Sequence, residues 1–306
     1  MPLYSIFITV IFPIFFMIAV GFFIQKRFKF DITALTKMIF YALIPPLIFS
    51  RIYQSTLSLQ EVGIVMLFTF GIIVIMGLIS LPISWVRGYR PAVRAAFALS
   101  VMFCNSGNYG LPVAELVFHQ NPVATSIQAA VLTMQNITTF TLGIFLVSKG
   151  NRSYRVSFRT IFRYPLIYSF IAAFLFRELH IPLWSQIWIP IERMASALVP
   201  VALLTLGMQL AKIRLTSSIV DVILSGMCRL LLAPLLGFTI LKLFHFSGVP
   251  AQVLLISTSM PTAVNTALLA LEMNNEPQFA AQSVLFSTVL SIASVSATIF
   301  AARALF

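Results

Sequence analysis

Long apolar runs, cut by short clusters of glycine, proline and charge, set the rhythm of this chain. Several exceed the roughly 18–20 residues that a helix needs to cross a bilayer. The pattern predicts ten spans, at about 4–25, 34–51, 62–86, 92–118, 123–148, 164–179, 187–211, 217–243, 250–272 and 279–303. The sixth is short, and the seventh opens amphipathically around Trp184–Arg193. One run breaks its own pattern. In the fourth span Gly107, Gly110 and Pro112 stand close together, with Asn105, Ser106 and Asn108 among them. Gly costs ~1 kcal/mol and Pro ~3 kcal/mol relative to Ala in a helix interior. Hydrocarbon offers no water to satisfy the peptide groups such a break frees. The stretch reads either as a broken helix whose amides face a polar cavity or as a kinked span that packs through its glycines.

Composition turns this pattern into a class. The 306 residues are 59% hydrophobic and 9% charged, with mean hydropathy +0.99, far more apolar than a soluble domain. The expectation is an all-α integral membrane protein. The opening MPLYSIFITV lacks a basic region, so the first span is expected to be retained and not cleaved. Cys104 and Cys228 both fall in spans and form neither disulfide nor metal-ligand spacing. No cofactor and no metal are expected. There is no HExxH, no pair of intramembrane acids and no Ser/His arrangement, which argues against a membrane enzyme.

The charge changes the picture mainly by orienting the chain. Lys26, Arg27, Lys29, Lys37, Arg87, Arg90, Arg94, Lys149, Arg152, Arg155, Arg159, Arg163, Lys212 and Arg214 fall on one side. Arg51, Arg177, Arg193, Lys242 and Arg303 fall on the other, and Arg229 lies inside a span. The excess of basic residues on cytoplasmic loops then predicts a cytoplasmic loop at 149–163, with both termini outside the cell membrane. The net charge of +12 is read as topology at an anionic inner leaflet, with no nucleic acid as partner.

A duplication runs through the chain. Pro45 and Pro200 are 155 positions apart, Asn108 and Asn265 157, Glu115 and Glu272 157, and Pro122 and Pro277 155. The prolines of RPA at 90–92 and VPA at 249–251 are 159 apart. The repeats are 1–148 and 164–306, joined by the basic loop 149–163. Five spans per repeat force the second copy to cross upside down, the plan of many secondary transporters. The ninth span, with STSMPTAVNT at 257–266, becomes the partner of the fourth. Two interrupted helices meeting near the midplane would aim free N–H groups and positive dipole ends at one point, where an anion fits.

Candidate residues follow. Asn105, Asn108, Asn265 and Thr262 either cap the breaks or donate to a carboxylate without a permanent charge. Gln135 and Asn136 either face substrate or bond a neighbouring helix. Gly107, Gly110, Pro112 and Pro261 make the breaks, and Pro261 is also expected among the residues that meet substrate. Arg229 has no acid one turn away, so it must meet freed carbonyls, a partner on another helix, or substrate. Glu115 and Glu272 end the two broken helices, as solvated ends or as gates.

These motifs resemble the auxin efflux carrier family in its short bacterial form, over the whole chain. The likeness lies in Asn105 with Gly110-Leu111-Pro112, in Met260-Pro261-Thr262, in Pro45-Pro46-Leu47 and in Gln135, with weaker matches in TLGMQL at 205–210 and RLLLAP at 229–234. The resemblance implies ten helices in two inverted five-helix repeats, with helices 4 and 9 broken and crossing. It implies a scaffold (1–56 with 164–213), a mobile transport unit (60–148 with 217–306) and a homodimer. It also implies alternating-access transport of small carboxylates such as malate, malonate or auxin-like acids. Cys104 stands where plant members carry a proline and Ile48 where they carry a polar residue, so auxin itself is not implied. A sodium-coupled symporter of related fold and a binding protein without net flux are the competing readings.

Overall fold

The computed structural model describes residues 3–119, 121–147, 165–213 and 219–306. The expected basic loop 149–163 and Arg214 lie outside the described residues, as does the side chain of Glu272. In chain order the helices are α1 (Tyr4–Phe28), α2 (Ile32–Tyr53), α3 (Leu59–Val86), α4 (Pro91–Met102), α5 (Leu111–Val117) and α6 (Pro122–Val147). They continue as α7 (Pro165–Glu178), α8 (Ser185–Leu210), α9 (Ile219–Leu243), α10 (Gly248–Thr258), α11 (Val264–Glu272) and α12 (Pro277–Leu305). Among the described residues, α1, α2, α3, α6, α8, α9 and α12 are long and apolar enough to cross a membrane. The expected fourth and ninth spans are each divided into two shorter helices, α4/α5 and α10/α11.

Local chemistry sets the helix ends. Ser58 accepts from the Glu61 backbone while the Glu61 carboxylate accepts from the Ser58 N–H, a reciprocal cap that starts α3. Asn121 accepts from the N–H groups of Val123 and Ala124 to start α6, and Pro91, Pro122 and Pro277 stand in first turns, where no N–H is needed. His180 and His245 follow α7 and α9 in the left-handed conformation. The N–H groups of His180 and Ile181 return to the carbonyls of Arg177 and Phe176, and those of His245 and Phe246 to Lys242 and Leu241. These histidines therefore terminate helices, a place that glycine more often fills.

Packing divides the helices into two groups. In the first, α8 runs against α1 and α2, and α7 lies on α2. The α1–α8 crossing is backbone to backbone, since a Cβ added at Gly21 would fall onto the carbonyl oxygen of Leu204 and one at Gly207 onto that of Ile18. Leu47, Ile48 and Ile52 of α2 interlock with Ala173 of α7 and Ala195, Leu198 and Ala202 of α8. The second group joins α3 to α4 and α6, α12 to α4, α9, α10 and α11, and α10 to α6. With α5 packed on α6 in the second group, the groups meet where α2 touches α6, where α1 touches α5 and α12, and where a wide helical turn at Ser106–Gly110 touches α8.

Candidate functional site

The two breaks lie against each other. Cys104 and Thr262 form an isolated antiparallel bridge, in which the Asn105 N–H donates to the Pro261 carbonyl at 2.7 Å and the Ala263 N–H to the Phe103 carbonyl at 3.0 Å. Each ruptured helix thus satisfies peptide groups of the other, which is how non-helical backbone survives in an apolar interior. Thr262 locks the arrangement. Its N–H donates to Ser287 Oγ and its hydroxyl to the Ser100 carbonyl, with the residue fully buried.

Beside the bridge is a recess of about 370 Å³, counting its opening to solvent. Asn105, Asn108, Gln135, Asn136 and Asn265 line it, with Cys104, Ser106, Gly107 and Thr139. Phe40, Ile44, Leu132, Ala263 and Val264 complete the wall. Five of the seven expected ligand residues therefore share one cavity. Pro261 and Thr262 do not line it and belong to the crossing beneath. Asn265 Nδ2 donates to Asn136 Oδ1 at 3.3 Å, joining α11 to α6 across the recess. Asn105 Nδ2 and Gln135 Oε1 are buried without a partner. An unpaired buried amide costs about 1–3 kcal/mol, so the recess leaves one donor and one acceptor unspent. Among the described residues, no Lys, Arg, Asp, Glu or His lines this recess. Wide π-type turns recur around it, with Phe40 in Ile39–Leu43, Thr139 in Thr139–Gly143 and Ser106 in Ser106–Gly110.

The charged candidates sit at two other levels. Arg229 is 1% exposed and donates to the carbonyls of Val101, Met102 and Thr258, where α4 and α10 end. Glu115 on α5 pairs with Arg51 of α2 at 3.3 Å, and Arg51 also reaches Glu192 of α8 at 3.2 Å. Arg51 stands two helical turns along α2 from Ile44 of the recess wall, and its carbonyl accepts from the Ser126 hydroxyl of α6. The ion pair spans the boundary between the two helix groups. Glu272 ends α11.

Sequence reasoning missed Gln128. Its Nε2 donates to the Ser106 carbonyl at 3.0 Å and its Oε1 accepts from Ser257 at 2.6 Å, so one amide clasps both broken helices. Its place two turns before Gln135, on the same helix face, was the available signal. Gly110 makes room for it, because a Cβ there would lie 2.5 Å from Gln128 Nε2. Gly110→Ala is expected to displace this amide and cost about 1–3 kcal/mol, read as a lowered melting temperature in detergent. Gly107→Ala, which meets only the tip of Leu132 at 3.3 Å, is expected to cost less, and equal melting of both variants would refute the clasp. Phe40 and Ile44 were also missed, since nothing in α2 marks the face it turns to a cavity.

A family model described as membrane transport protein matches residues 6–299. An "uncharacterized transporter" of Methanothermobacter thermautotrophicus is 27% identical over 270 residues, covering 87% of this chain and 87% of that protein. A second "uncharacterized transporter", from Methanocaldococcus jannaschii, is 26% identical over 197 residues, 62% of this chain and 63% of its own length. With helices that cross a membrane and a family match over nearly its whole length, the chain belongs to the membrane transport protein family, the auxin efflux carrier family whose motifs it carries.

Proposed function

We propose that this multi-pass membrane protein is a secondary carrier of small organic anions, working by alternating access at the crossing of its two broken helices. The observation that carries the reading is the bridge between Cys104 and Thr262, with an amide-lined recess directly above it. Position 262 minus position 104 is 158, within the 155–159 offset of the duplicated motifs, which supports two inverted five-helix repeats and ten spans in all. In this reading α1, α2, α7 and α8 form a scaffold, and α3–α6 with α9–α12 carry the site past it, in a cell-membrane homodimer. Amides and half-helix dipoles suit a carboxylate that must be released again, because they bind without a permanent charge of their own. The arrangement of the recess and the Arg51–Glu115 pair fits a form closed at the Arg51 end and accessible from the end bearing Lys26 and Lys37, the cytoplasmic side by the basic-residue rule.

The test is uptake of radiolabelled malonate, malate and simple monocarboxylates into proteoliposomes, guided by a thermal-shift screen of the same acids. Asn105→Ala and Asn265→Ala are each expected to lower uptake about tenfold or more, the scale of one or two lost hydrogen bonds to a charged group. The same variants should remain folded and lose the ligand-induced shift. Full uptake by both would remove the recess from the transport path.

A further inference from the structure

Arg229 is a formal charge in an apolar helix, and among the described residues no ion pair includes it. Burying an unpaired ion is costly, and an arginine is among the least favourable residues at the centre of a membrane helix. Something must offset that cost here. Its Nη1 donates to the carbonyls of Val101 (3.1 Å) and Met102 (3.3 Å), and its Nη2 to that of Thr258 (2.5 Å). These are the last residues of α4 and α10, two helices whose continuations were broken to form the crossing. Each helix end carries roughly half a negative charge on carbonyls with no further turn to bond. Two such ends together match one guanidinium.

Converging carbonyls at half-helix ends are also what broken-helix carriers use to hold a coupling cation. Here the chain's own side chain fills that place. A second cavity of about 260 Å³ adjoins Arg229, lined by Thr69, Ser257, Thr258, Cys104 and Gln135. The Arg229 Nε is buried without a partner. Removing the side chain would therefore open a space walled by the three carbonyls and three hydroxyl groups, oxygen donors of the kind that hard monovalent cations take.

We propose that Arg229 is the resident cation of the crossing, occupying the carbonyl cluster that a coupling sodium ion would otherwise fill, so that the site assembles without sodium. This rests on the carrier reading for its meaning in transport, but its test reads the crossing itself. The planar fork reaches carbonyls on two separate helices at once, which a lysine ammonium on its single point cannot reproduce. Arg229 is a positioning residue, acting on substrate only through the two half-helices.

The experiment is thermal melting of the purified full-length protein in sodium chloride, in choline chloride of equal ionic strength, and with millimolar guanidinium chloride added. The natural protein is expected to melt at the same temperature in all three. Arg229→Ala is expected to melt lower by about 5 °C or more in choline and to recover part of the loss with guanidinium or sodium. Arg229→Met, which fills the space with an apolar chain, is expected to show the loss without the rescue. Stabilisation of the natural protein by sodium over choline would overturn the proposal, and so would an Arg229→Ala variant that neither cation restores. If Arg229→Ala does not fold, the sodium response of the natural protein and of the neutral Arg229→Gln decides: indifference to sodium in the first with a new response in the second upholds it, and any other pattern overturns it. Loss of uptake in the separate liposome assay would reject the carrier and leave this result standing.

Discussion

In a Cys228→Ser background, Arg51→Ala will make Cys104 react about tenfold faster or more with a membrane-impermeant thiol reagent applied from the face that carries Arg51. Cys104 lines the recess and is 4% exposed, so it reports whether that recess is sealed. The Arg51 and Glu115 side chains are 13% and 15% exposed, too buried for the near-zero value of a surface pair. Removing one partner of such a pair costs about 3–5 kcal/mol when burial is complete. A third of that, spent on the closed form alone, is already a factor of ten in the population of the open one. The variant also leaves Glu115 and Glu192 facing each other across the boundary between helix groups without a cation between them, and their repulsion opens the same gap. Glu115→Gln keeps an acceptor for Arg51 and should give a smaller increase. Equal labelling of parent and Arg51→Ala would show that the ion pair does not seal the recess.

Gly207→Ala will abolish recovery of a monodisperse protein, or lower its melting temperature by about 8 °C or more, judged by size-exclusion after detergent extraction. Overpacking usually costs about 1–3 kcal/mol because side chains shift to absorb it. At Gly207 the obstacle is the backbone of Ile18, and at Gly21 the backbone of Leu204. Neither can yield unless α1 and α8 separate along their whole contact, and small residues are what allow membrane helices to approach so closely. Gly63→Ala and Gly71→Ala are the controls. A Cβ at either meets nothing within 4 Å, so these variants should extract and melt as the natural protein does, or slightly better. A normal yield of Gly207→Ala would contradict the close crossing.

Much of the site could be read before any tertiary contact was known. Asn105, Asn108 and Asn265 were expected at the ruptures, and Gln135 and Asn136 in the span that follows the first; all five line one recess. They were legible because polar residues violate the rule for an apolar span, beside glycine and proline at Asn105 and Asn108, near Pro261 at Asn265, and as a pair within a span at Gln135 and Asn136. Thr262 carried the same signal yet serves the bridge, its hydroxyl spent on the Ser100 carbonyl, since spacing cannot tell a group that faces a cavity from one that faces a neighbouring helix. Glu115 was read as either a solvated end or a gate, and its choice depended on Arg51, which is 64 residues away in the chain.

The amino-acid order alone determined the membrane class, the placing of the helices and the two ruptures, because those follow from the cost of exposing peptide groups to hydrocarbon and from the local habits of Gly and Pro. Only the tertiary structure decided which faces met: Phe40 and Ile44 on the recess, Gln128 across both broken helices, Arg229 on two carbonyl ends, Arg51 between two glutamates. A helix that is apolar on nearly every side carries no periodic mark of its inward face. Its rotation is settled by backbone approaches such as Gly21 against Leu204 and Gly207 against Ile18, and by the few polar groups that find partners only once the chain has closed.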